Sequence, residues 1–186
     1  ESVTTYVGAA NGLSNSEANN QGFAKTSKPG TYFLTSESPA VILSYAEVQF
    51  SLAEAVARGF ISGNADTYYK EGIAASLKQF GVTDATVIAT YLSQPAVLYN
   101  AANYKESIGL QKWIAFYGQG LDAFAEWRRL DYPQLTAGVS TVLDGEMPSR
   151  FFYPGTEQSL NGINYKLAVS SQGPDLLTTR LWFDVN

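Results

Sequence analysis

The sequence contains neither cysteine nor histidine. That excludes disulfides, a thiolate nucleophile, a Ser–His–Asp triad, histidine ligands for zinc or copper, and a histidine-ligated haem. Charge is scarce too: Asp, Glu, Lys and Arg make up 16% of the 186 residues, 12 basic against 17 acidic, for a net charge of −5. Nucleic-acid binding needs a basic footprint that displaces counterions from phosphates. Here only Arg128 and Arg129 are adjacent basic residues, so DNA and RNA are rejected as main partners. The same deficit argues against an anionic membrane surface. No apolar run approaches the roughly 20 residues of a membrane-spanning helix. The chain opens Glu1-Ser2-Val3-Thr4-Thr5, with neither the basic-then-apolar start of a signal peptide nor an initiator Met, and reads as a mature or truncated product. No P-loop, EF-hand or H-E-x-x-H spacing occurs, so no cofactor or metal site is read from it.

What is present is apolar and aromatic. Apolar residues make up 45% of the chain and aromatics 13%, with 12 Tyr, 10 Phe and 3 Trp. A chain this long can bury well over half of its unfolded surface, so one domain, or one large fragment of a larger one, is expected. Tyrosine brings a hydroxyl that wants a partner as well as a ring that packs, and it recurs at recognition surfaces.

Residues 1–38 carry turn formers (Asn11-Gly12, Asn19-Asn20, Pro29-Gly30) and no periodicity, which predicts a loop-rich lead-in. Residues 39–130 read as helix pairs. Ser36 or Ser38 is the expected N-cap of the first helix, with Pro39 at its first position, and Val41, Tyr45, Val48, Leu52 and Val56 form its apolar stripe. Gly59 ends it. A second helix follows Gly63, capped by Asn64 or Asp66, with Tyr69, Ile73, Leu77 and Phe80 on one face and Gly81 as its stop. A shorter helix over about 85–93 opens at Thr83 or Asp84 and stops before Pro95. Residues 104–130 predict another pair, with stripes Leu110, Trp113, Ile114, Tyr117 and Leu121, Phe124, Ala125, Arg128, joined at Gly118 and Gly120 and stopped by Tyr132-Pro133. Residues 131–186 predict an irregular tail. It begins with a loop from Thr136 to Thr141 and has short helical turns near 156–160 and 164–170. Its apolar residues, among them Phe151, Phe152, Leu160, Leu176 and Trp182, call for packing against the helices. No alternating run predicts strands.

Four stretches resemble one family. The run from Pro39 to Ala55, PAVILSYAEVQFSLAEA, is similar to a helix of the SusD/RagB family. So are Ala57-Arg-Gly-Phe60 with Asn64 to Gly72, the segment QKWIAFYGQGLDAFAEWRR from Gln111 to Arg129, and PSRFFYP from Pro148 to Pro154 followed by Glu157, Asn161 and Asn164-Tyr165. They occur in family order over nearly the whole chain. The resemblance implies an all-α fold, a SusD-like superhelix of tetratricopeptide-like helix pairs with a loop-rich C-terminal tail, here as the C-terminal portion of a larger protein. It implies a non-catalytic lipoprotein of the outer membrane of Bacteroidetes-type bacteria, with its lipidated Cys upstream of this chain. Such a protein captures oligosaccharide or polysaccharide, in some members peptide, and passes it to a SusC-like TonB-dependent transporter. An interaction scaffold that docks the transporter without touching sugar is the alternative.

Most of the polar motifs read as structural. Glu47 and Glu54 lie a heptad apart, roughly 10 Å along a helix axis, at or beyond the spacing of an inverting glycosidase pair. Pairing with Arg or Lys is the expected role. The two arginines of Trp127-Arg128-Arg129 are expected to meet Glu54 or Glu126, with the indole packed. Gly118 to Ala123 fits G-x-G-x-x-A, but a helix rather than a strand precedes it, which removes the dinucleotide reading. Sugars are recognised by aromatic faces beside amides. On that basis the candidate ligand contacts are Tyr6, Asn11, Asn15 and Tyr32 in the lead-in, the preferred group, and Tyr99, Asn100, Asn103 and Tyr104 before the fourth helix.

Overall fold

A computed structural model of the chain describes residues 6–138 and 143–184. Residues 1–5 of the lead-in and 139–142, which include part of the Thr136–Thr141 loop, lie outside the described residues. Among the described residues the chain is all-helical, with no strand. The helices are α1 (Asn15–Gln21), α2 (Tyr45–Ala57), α3 (Ala65–Gln79), α4 (Ala85–Leu92), α5 (Tyr104–Ala115), α6 (Gly120–Leu130), α7 (Gly155–Leu160) and α8 (Gly162–Gln172). They fall into two compact units: one of residues 37–134, the other of residues 6–36 and those from 135 onward.

In the 37–134 unit, side chains cap the helix starts. Ser44 Oγ accepts from Glu47 N at 3.1 Å, Asn64 Oδ1 from Thr67 N at 3.3 Å, and Asp84 Oδ1 from Thr86 N at 2.7 Å. Each satisfies an amide that has no partner in the first turn. Helices α2 and α3 both end in Schellman turns: Phe60 N donates to Ala55 O and Val82 N to Leu77 O, around Gly59 and Gly81 at positive φ. The start of α2 differs from the expected Ser36 or Ser38. Ser44 with Glu47 three residues on is the stronger capping signal, and Val41 therefore lies outside the helix.

The buried face of α2 also differs from the expected stripe. Tyr45 and Val48 are exposed, whereas Ala46, Phe50 and Ala53 are buried together with Gln49 and Glu54. The reason is distance. Ala46 and Ala53 flank Phe50 on one face and let α3 come close, and Tyr45 and Val48 are left on the opposite side. In α5 the same inversion occurs: Trp113 and Ile114 are exposed, as is Tyr117 in the turn that follows, and Ile108, Gly109, Gln111, Lys112 and Ala115 are buried. In α3 the expected face holds, with Tyr69 and Ile73 buried.

Phe50 is the centre of this packing. It is fully buried, and its ring lies so near Gly72 that a Cβ there would sit 2.9 Å from the ring. Tyr69 meets Phe50 edge-on at 6.1 Å between centroids and Tyr99 at 5.3 Å, while its hydroxyl donates to the Val97 carbonyl at 2.7 Å.

The second unit is built differently. Helix α1 was not expected. It begins at a capping box in which Ser14 and Glu17 bond each other's backbone amides, a signal hidden among turn formers. The tail backbone passes the lead-in closely: a Cβ on Gly138 would sit 2.6 Å from Gly12 Cα. Helices α7 and α8 match the short turns read from the sequence. The apolar tail residues do not become a core, since Phe151, Phe152, Leu160, Leu176 and Trp182 are exposed. Among the described residues of this unit the buried side chains are Arg150 and Asp184. Polar bonding rather than apolar burial holds it.

Replacing Gly72 by Ala is expected to destabilise the protein by about 1–3 kcal/mol, because the added methyl overpacks against Phe50. Tyr69→Phe, which deletes the bond to Val97, is expected to cost about 1 kcal/mol. Urea unfolding of the two variants beside the parent chain measures both.

Candidate functional site

The most concentrated polar chemistry lies where α2, α5 and α6 meet. The Arg129 guanidinium forks onto Glu54, with Nη1 on Oε1 and Nη2 on Oε2, the latter at 2.6 Å. Its Nη2 and Nε also bond Glu126, at 2.6 and 3.3 Å. Lys112 Nζ, almost fully buried, pairs with Glu126 at 3.1 Å and donates to Ser51 Oγ at 3.3 Å. Arg58, one turn beyond Glu54, adds a contact at 3.3 Å. Burial by itself raises the Glu54 carboxyl. Hydrogen bonding and charge from Arg129, then charge from Lys112 and the bond from Arg58, outweigh it and leave the group below its usual value near 4.5. The Arg129 guanidinium is raised in turn, chiefly by its bond to Glu54.

This arrangement suits a structural tie. Glu54 is ionised and saturated with donors, so it has no proton to give as a general acid. Arg128 lies over the Phe124 ring at 4.3 Å, and Trp127 donates from Nε1 to Pro133 O at 3.1 Å. The cluster expected from Trp127-Arg128-Arg129 is therefore turned to packing and pairing, with Arg129 on both Glu54 and Glu126.

The candidate contacts before α5 sit among structural bonds. Tyr99 and Tyr104 pack on the apolar core. Asn100 Oδ1 accepts from Ala102 N at 3.0 Å, and Asn103 Nδ2 donates to Glu106 at 2.6 Å. In the lead-in, Tyr6, Asn11 and Asn15 are exposed, Asn15 as the first residue of α1. Tyr32 lies half-buried in a short 3₁₀ turn, with its ring edge-on to Phe33 at 4.9 Å. The lead-in also carries a hollow of about 330 Å³ lined by Leu13, Asn19, Gln21, Phe23, Thr26 and small residues. None of Tyr6, Asn11, Asn15 and Tyr32 lines it.

In the tail, Arg150 pairs with Asp175 at 2.9 Å and lies over the Tyr153 ring at 4.5 Å. Asp175 also accepts from Tyr153 N at 3.1 Å and from the Tyr165 hydroxyl at 3.3 Å. Among the described residues no group of three or more His, Cys, Asp or Glu is placed to hold a metal ion, and no helix is long and apolar enough to cross a membrane.

A family model described as starch-binding and associating with the outer membrane, SusD-like, matches residues 1–154. The chain belongs to this SusD-like family. Solved structures agree. A SusD homologue from Bacteroides fragilis is 28% identical, with a TM-score of 0.79 over 97% of this chain and 44% of its own. A chitin-binding SusD homologue from Flavobacterium johnsoniae is 30% identical, with a TM-score of 0.64 over 76% of this chain and 36% of its own. A further chitin-binding protein is 35% identical, with a TM-score of 0.68 over 76% and 33%. This SusD-like chain thus spans less than half of the solved structures it matches. No curated protein matches it.

Within the SusD-like frame, Phe23 and Asn19 line the lead-in hollow, though the sequence pattern singled out neither as a ligand contact. Phe23 stands outside any periodic pattern. Its exposure, with Lys28 Nζ 4.1 Å from the ring centroid on one face, follows from the turn after α1. Asp175 was missed as well, because its partner Arg150 lies 25 residues away in sequence and no local signal links them.

Since the folded Glu54 carboxyl lies below its unfolded value, its stabilisation is complete above about pH 4.5 and is lost as pH falls through the lowered folded value. Glu54→Gln is expected to destabilise the protein at pH 7 by about 2–3 kcal/mol. That is less than the roughly 3–5 kcal/mol of a fully buried pair, because Glu126 still holds Arg129. The difference from the parent chain should shrink at pH 3. Chemical denaturation at the two pH values checks both the size and the sign.

Proposed function

We propose that the chain serves a non-catalytic protein that captures glycans at the outer-membrane surface and delivers them to a SusC-like TonB-dependent transporter. The observation that carries the non-catalytic half is the ion network. Glu54, the acid a hydrolytic reading would choose, is consumed by Arg129 and Arg58, so the helical unit is a braced support. The family description supports the starch-type ligand and the outer-membrane association, and the chitin-binding relatives support glycans as a class. Attachment through a lipidated Cys upstream belongs to the same reading.

Ligand contact falls first to the lead-in. Tyr6, Asn11, Asn15 and Tyr32 remain its candidates, and the hollow adds Phe23 as an aromatic platform and Asn19 as an amide. Tyr99, Asn100, Asn103 and Tyr104 are second, because their side chains already brace the loop and the core. A scaffold role, docking the transporter or a peptide, is favoured by one observation: Trp113 and Ile114 at the end of α5 and Tyr117 in the turn after it stand outward. An exposed apolar ridge of that kind marks a contact surface.

Calorimetric titration with malto- and chito-oligosaccharides is expected to give dissociation constants of about 1 μM to 1 mM, with no release of reducing ends on prolonged incubation. Reducing ends that accumulate with the parent chain and not with Glu54→Gln would establish a glycosidase instead. Co-purification of a TonB-dependent transporter with the chain tests delivery.

A further inference from the structure

The α2–α3 pair carries a second open hollow, independent of the lead-in. It is a groove of about 330 Å³ lined by Tyr45, Ala46, Glu71, Ala74, Ala75, Lys78 and Gln79. Glu71, Ala74, Ala75 and Lys78 follow an i, i+3, i+4, i+7 spacing and so form one stripe of α3. Two turns separate Glu71 from Lys78, roughly 10 Å along the axis, and only alanines lie between them. Ala46 faces them from α2. The floor is therefore flat and apolar. Tyr45, the first residue of α2, stands with Gln79, the last of α3, and is 62% exposed. Among the described residues, no hydrogen bond or ion pair occupies the side chains of Tyr45, Glu71, Lys78 or Gln79.

This is a set of complementary parts. A pyranose ring offers an apolar C–H face to an aromatic ring and a belt of hydroxyls that both donate and accept. Glu71 accepts, Lys78 donates and Gln79 does both. The two opposite charges cancel, so the rim favours an uncharged ligand over an acidic or basic one. A peptide needs pockets for its side chains, and an alanine floor supplies none. The volume lies at the small end of ligand sites.

We propose that the α2–α3 groove is a glycan subsite for a short, uncharged oligosaccharide, with Tyr45 as stacking platform and Glu71, Lys78 and Gln79 as hydroxyl partners. The proposal rests on the glycan-capture reading and adds a site on the helical unit to the one in the lead-in.

NMR titration of the ¹⁵N-labelled chain with maltotriose, with chitotriose and with a soluble Ala/Glu/Lys heptapeptide separates the outcomes. The expected result is sugar-dependent shifts at amides 45–47 and 71–80. Tyr45→Ala should weaken that binding about tenfold, equivalent to about 1.4 kcal/mol, and Gln79→Ala should weaken it to a smaller degree. Both variants should keep the parent's urea midpoint. Sugar shifts confined to the lead-in, with Tyr45→Ala binding like the parent chain, would overturn the groove and leave glycan capture standing. No shift with either sugar would overturn both. Shifts in the groove with the peptide alone would overturn the proposal in favour of a peptide seat.

Discussion

The guanidinium of Arg129 is the piece on which the helical unit depends. It reaches from α6 to Glu54 on α2 and to Glu126 on its own helix, and Glu126 passes the tie to Lys112 on α5. Bringing these charges out of water has a desolvation cost that pairing only partly offsets, so the network is weak as a source of net stability. Its value lies in direction. A planar fork has few ways to meet a carboxylate with both arms, and α2 and α6 are held in the register that allows it. Phe50 and Gly72 then set how near α3 lies to α2, and Tyr69 ties that pair to the strap at Val97.

A support braced in this way has a chemical consequence. Glu54, the acid that a hydrolytic reading would choose, is ionised and occupied. Aromatic side chains, by contrast, stand outward on α2, on α5 and in the lead-in. Reactivity is spent internally and recognition surface is left outside. That division fits the proposed role of holding a sugar without cutting it.

The two units reach order by different physics. The 37–134 unit has an apolar core of the ordinary kind, with Phe50, Tyr69, Ile108 and Leu130 buried. The other ties its chain with Arg150, Asp175 and Tyr165 and with a close backbone crossing at Gly138, while most of its large apolar residues stay exposed. Local sequence signals serve the first kind of construction well and the second poorly, because an ion pair between residues 150 and 175 leaves no periodicity to read.

Sequence by itself determined the helices of the 37–134 unit and their ends, except the start of α2. Asn64, Asp84, Gly59 and Gly81 act within one or two turns of chain, so their effect is legible locally. It also determined the exclusion of thiol and imidazole chemistry, and the partnership of Arg129 with acids in the helical motifs. Only the tertiary structure decided which face of α2 and of α5 is inside. Tyr45 and Val48 of α2 and Trp113 and Ile114 of α5 stay exposed, because close approach of neighbouring helices uses alanine and glycine, whose smallness counts only once a second helix is present. It alone brought Tyr45 and Gln79 to one hollow, since a site assembled from separate helices exists through contacts that no single stretch of sequence contains.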